Sequence, residues 1–122
     1  MTNDQNSKQY DLEERTFNFA KSCRDFVNKL PRTLSNTEYG RQLIRSSGSQ
    51  AANYIEANES LSKKDFVHRI KISRKESKES RLWLRLCQVG NEEKISKLQN
   101  DLIDESSQLI KIFSSIIEKS KV

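Results

Sequence analysis

Proline occurs once and glycine three times in 122 residues. That is too little turn chemistry for the closely spaced strands of a sandwich or barrel. The two cysteines, Cys23 and Cys87, stand far apart with no CxxC, and there is a single histidine. Zinc sites and redox motifs both fail on that count, and both thiols are expected to be buried and reduced. No stretch of eighteen apolar residues exists, so nothing is long enough to cross a membrane. The opening MTNDQNSKQY has no apolar segment, so no secretory leader and a cytoplasmic location are expected. There is no Gly-rich phosphate loop and no GxSxG elbow.

What the chain has is helical periodicity in four blocks and a charge imbalance confined to one of them. An all-α, antiparallel up-down four-helix bundle is expected, with helices at about 12–30, 36–58, 63–89 and 92–119 in one domain of residues 11–120. Residues 1–10 read as a flexible tail. Asp11 with Glu14, Ser35 with Glu38, and Ser62 with Asp65 have the spacing of capping pairs. Pro31 stops the first helix and Gly90 the third. Asn91 reads as the cap of the fourth.

The first helix places Leu12, Phe19, Ala20, Cys23, Phe26, Val27 and Leu30 inward, and the second Tyr39, Leu43, Ile44, Ser47, Ala51, Tyr54 and Ile55. The centre of the second, SSGSQAAN, is built of small residues, and the third offers Ser73, Ser77 and Ser80 on its inner face. Close packing of these two helices is therefore expected, with Gly48 admitting a neighbouring backbone.

Residues 63–90 hold nine of the 22 basic residues against three acids, a net of +6, while the whole chain carries +5. At about 100° per residue, eight of the nine fall on roughly a third of the helix circumference. Lys64, Lys71, Arg74, Lys75, Lys78, Arg81 and Arg85 are the candidate contacts for an anionic partner. The pattern suits phosphates, which need only cations along a face. No aromatics are interleaved for base stacking, and no cluster reads base edges. Binding would be backbone-directed and weakly sequence-specific. An acidic protein partner is the alternative.

Enzyme chemistry finds no constellation. His68 stands alone, and Glu76 with Glu79 lacks the Glu-x-x-His pairs of di-iron bundles. No catalytic residue, metal, cofactor or small-molecule substrate is expected. The acidic pair fits better beside a neighbouring helix, with Glu79 one turn from Lys75. Trp83, with Leu82 and Leu86, leaves apolar surface outside the inner face. In the fourth helix Leu98, Leu102, Leu109, Phe113 and Ile116 form a core stripe, and Ile103, Ile110 and Ile117 form a second at seven-residue spacing. The second seam is either a wide buried face or, with Leu82, Trp83 and Leu86, an oligomer interface.

The strings SSGSQAANYIEANE (46–59), SKKDF (62–66) and HRIKISRKESKESRLWLRL (68–86), with DLEERTFNFA (11–20), resemble the 23S rRNA intervening-sequence protein family, also called four helix bundle protein. The resemblance runs from about Tyr10 to Lys119. It implies an up-down bundle assembled as a ring-like homopentamer, with no established enzymatic activity. Some members of this family are encoded within insertions in bacterial 23S rRNA genes. A related branch, the accessory variability proteins of diversity-generating retroelements, is basic and pentameric and associates with a reverse transcriptase and nucleic acid. Gly48 departs from the family pattern, where alanine or a larger aliphatic residue is common.

Overall fold

The computed structural model describes residues 4–121, and side chains from Leu12 onward. Four helices follow one another: α1 Asp4–Lys29, α2 Leu34–Asn58, α3 Lys63–Leu86 and α4 Glu93–Lys119. Each packs on its neighbours in sequence, and α1 closes on α4, as in an up-down bundle. Among the described residues there is no strand.

The helix ends differ from expectation in instructive ways. α1 begins at Asp4 rather than at residue 12, because no proline or glycine interrupts residues 4–29. Residues 1–3 of the expected tail lie outside the described residues. Thr33, not Ser35, caps α2, with its hydroxyl accepting from Asn36 N at 3.0 Å. Ser62 caps α3 as expected, accepting from Asp65 N at 3.1 Å. Glu92 rather than Asn91 precedes α4 and makes no side-chain cap; Glu93 in the first turn favours the dipole instead.

α3 stops at Leu86, three residues short of expectation. The Gln99 amide reaches over from α4 and donates to Leu84 O at 2.8 Å and Cys87 O at 2.9 Å. That satisfies carbonyls a longer helix would have used. Gly90, at φ 75°, turns the chain in the loop beyond.

Phe26, Phe113, Leu43, Ile70, Leu84 and Leu109 are fully buried at the bundle's centre. Cys23 and Cys87 are buried and unbonded, and burial pushes the Cys87 thiol up to about 11 and Cys23 higher still. On α2 the inner face is rotated from expectation: Ser46, Gln50 and Ala57 are buried, whereas Ile44 and Ile55 are exposed. Hydropathy misplaces this face because its partner surface is polar. Ser46 Oγ lies 2.8 Å from Ser80 Oγ, and Ser73 Oγ donates to Gln50 O at 2.9 Å. A serine bonding another helix's carbonyl requires close backbones, so α2 and α3 pack tightly.

Gly48 is not the residue that permits it. It is exposed, and a Cβ there would meet nothing within 4 Å. Gly40 has the steric role instead, facing α1, where an added Cβ would lie 2.7 Å from Val27 Cγ1.

The second seam of α4 resolves toward the bland reading. Ile110 and Ile117 are 9% and 3% exposed, and Ile103 packs half-buried against the core. These residues line the protomer's own interior, because α4 is wedged between α1 and α3 and must bury a wide arc. Ile110 and Ile117 are thereby taken up inside the protomer, while Ile103 keeps partial exposure.

Candidate nucleic-acid interface

α3 presents its serine face inward and its lysines outward. Lys64, Lys71, Lys75, Lys78 and Arg85 are exposed, on a helix of 24 residues. At 1.5 Å per residue the stripe from Lys64 to Arg85 spans about 32 Å, near one turn of a duplex. Arg74 and Arg81 differ from the rest. Both are half-buried along the α3–α4 seam, donating to Ser114 Oγ at 3.3 Å and Ser107 Oγ at 3.1 Å. Seven residues separate the arginines and seven separate the serines, so antiparallel helices bring them into register. Each guanidinium keeps further donors for a phosphate, but in a fixed position. The matched spacing was visible in the sequence, although the role of Ser107 and Ser114 was not read from it.

The acids are held away from the stripe. Arg45 of α2 approaches Glu76 at 3.5 Å and Glu79 at 3.6 Å. Glu76 is buried, which alone would raise its carboxyl; hydrogen bonds with Glu79 and Ser49 and the charges of Arg45 and Lys75 outweigh this and hold it low. Glu79 is raised, first by its hydrogen bond with Glu76, then by burial and the neighbouring charge. The neighbour expected for Glu76 is thus Arg45, which serves both carboxylates. Elsewhere Arg15 joins Glu105 at 2.7 and 2.8 Å across α1 and α4. Among the described residues, no ion pair engages any of the seven stripe cations.

Trp83 is largely spent within the protomer, half-buried and stacked on Tyr39 with ring centroids 6.0 Å apart. That stack engages one face of the indole within the protomer. Leu82 and Leu86 are 46% and 40% exposed and lie on the same outer face as the lysines, in its last turn. No cluster of three or more His, Cys, Asp or Glu residues suited to a metal occurs among the described residues. No helix is long and apolar enough to cross a membrane.

The profile of the family described as 23S rRNA-intervening sequence protein matches residues 8–114. The chain belongs to that family. Its fold is shared by a protein with unknown function from the S23 ribosomal protein family of Bacteroides thetaiotaomicron, known from a crystal structure. The two superpose with a TM-score of 0.71 at 25% identity, over 86% of this chain and 96% of that one. Among curated proteins, none matches this chain. The 23S rRNA-intervening sequence family match covers the helices that carry the stripe, the Arg45–Glu76–Glu79 cluster and the α2–α3 seam.

Proposed function

We propose that this protein is a non-enzymatic, self-associating helical bundle of the cytoplasm that binds nucleic acid, RNA ahead of DNA, by its phosphate backbone. The supporting observation is the outer face of α3, where five exposed cations stand without an ion-pair partner among the described residues. The preference for RNA rests on the family description, which names an intervening sequence of 23S rRNA. Arg74 and Arg81 provide fixed forks and the lysines provide mobile point charges. Ring assembly, as the family resemblance implies, would multiply a weak patch through avidity. Of the expected interface residues, Leu82 and Leu86 retain the exposure such assembly needs. Light scattering tests it, and a monomer at micromolar concentration rejects it.

Reversing Lys64, Lys71, Lys75 and Lys78 to Glu tests the binding surface. Affinity for single-stranded RNA at low salt should collapse, and the slope of log affinity against log salt should fall by about 3, at ~0.7 per lost contact. Unchanged affinity rejects the reading. Leu82 and Leu86 beside the lysines favour a second reading, a scaffold docking an acidic protein through a mixed basic and apolar face. Retention of a defined protein from nuclease-treated lysate, lost in the same charge-reversed variant, selects the scaffold.

A further inference from the structure

The stripe runs out at the end of the bundle where α3 begins and α4 finishes. There a groove of about 550 Å³ opens between the two helices, with Lys63, Lys64, Lys71 and Lys121, His68 and the Ser120 side chain around it. Val67 forms its apolar part, and among the described residues no carboxylate lines it. Lys121 is engaged by Glu118 at 2.9 Å, and the other three lysines have no ion pair among the described residues. On the far side of His68 the balance turns acidic: Glu56, Glu59 and Asp65, against the single cation Arg69, border a separate hollow of about 290 Å³. The positive surface therefore ends at His68. The dipoles of α3 and α4 meet here with opposite signs and offset one another, so the side chains carry the site.

A strand laid along α3 would reach this groove and find no further cationic ground. An internal phosphodiester brings a single negative charge. A terminal phosphomonoester brings about −1.5 to −2 at neutral pH and three strong acceptor oxygens. Lysines on flexible stems can converge on such a group from several directions. We infer that the groove holds the phosphomonoester end of a nucleic-acid strand whose backbone follows the stripe, which rests on the nucleic-acid reading above. The stripe supplies length-dependent affinity, and the groove registers the strand's end.

The test compares one short single-stranded RNA with a 5′-phosphate, with a 3′-phosphate, and with hydroxyls at both ends, by fluorescence anisotropy at low salt. One phosphorylated form should bind about fivefold more tightly than the hydroxyl form, and the arm that does so identifies the end. The double variant Lys63→Ala/Lys121→Ala, which removes the two groove lysines outside the stripe, should bring that ratio close to one while binding the hydroxyl form nearly as before. Equal affinity for all three strands overturns the groove and leaves the stripe standing. Discrimination that survives in the double variant overturns its assignment to this groove. Failure of every strand to bind overturns the stripe and the groove together.

Discussion

The two sides of α3 solve opposite problems. Inward, Ser73, Ser77 and Ser80 are fully buried, and each hydroxyl has a partner within hydrogen-bond distance. Outward, Lys64, Lys71, Lys75 and Lys78 face solvent with no ion-pair partner among the described residues. The inner face is complete within the protomer, so changing it should damage the fold. The outer face is incomplete, so changing it should leave the fold intact and damage only what binds there. Small polar residues inside and long cations outside are thus different uses of polarity on one helix: one closes a short gap between backbones, the other leaves charge at the surface for the anion proposed above.

The largest expected effect tests the inner half of that contrast. Ser80→Leu inserts a branched side chain where Ser46 Oγ now lies 2.8 Å from Ser80 Oγ. Overpacking and loss of the Ser46–Ser80 hydrogen bond, which leaves Ser46 only its long contact to Leu43 O at 3.4 Å, should together cost about 3 kcal/mol in urea unfolding. Lys78→Leu, two residues away on the outer face, should stay within about 0.5 kcal/mol. Equal costs for the two would show that the faces do not differ as described. The charge reversal on the outer face is the complementary test, with binding lost and the unfolding midpoint retained.

The two helical glycines carry the comparison onto α2 with a smaller effect. Gly40→Ala places a methyl 2.7 Å from Val27 Cγ1, and valine is short and stiff, so α1 must shift. A loss of about 1–2 kcal/mol is expected. Gly48→Ala meets nothing and should gain up to about 1 kcal/mol from helix propensity. Thermal unfolding of both variants should move in opposite directions. A loss at Gly48 under conditions of self-association, absent from the monomer, would mark Gly48 as part of a subunit contact.

Much of this was legible in the sequence, and the misses share a cause. Helix number and order, the inner serines of α3 and the outward stripe all follow from period and charge. The rotation of α2 was missed because Ile44 and Ile55 appear to belong inside, whereas Ser46 and Gln50 lie there. Hydropathy cannot identify a seam whose contacts are serine hydroxyls. The isoleucine seam of α4 looked surplus because the arc buried by one helix depends on how its neighbours sit. Asn36 gave no local signal at all. Its amide donates to Pro31 O and Gln88 O at 2.9 Å each and accepts from Gln88 N at 2.9 Å, tying the two loops at one end of the bundle. Such a clamp is a property of spatial neighbours 52 residues apart, which no local pattern encodes.

The smallest expected effect lies at the border between the two faces, where Glu76 and Glu79 meet Arg45. Glu79 is raised above its ordinary value of 4.5 in the fold, so the folded protein holds that proton more tightly than the unfolded chain. As pH rises from 4.5 through the raised value, ionising Glu79 beside Glu76 therefore costs stability. Glu76, held below 4.5, acts in the other sense: its contribution is present above 4.5 and is lost as pH falls through its lowered value. Glu79→Gln keeps an amide able to donate to Glu76 and removes the charge that repels it. The variant should be slightly more stable than the parent at pH 7, by less than about 1 kcal/mol, since Glu79 is partly exposed and the loss of its contact with Arg45 offsets some of the gain. That advantage should vanish below pH 4.5, where the parent's Glu79 is protonated in both states. Unfolding midpoints of the two proteins at pH 7 and pH 4 give the comparison. A gain that persists at pH 4 would mean that packing rather than charge separates the residues, and that the acids are not held off the stripe electrostatically.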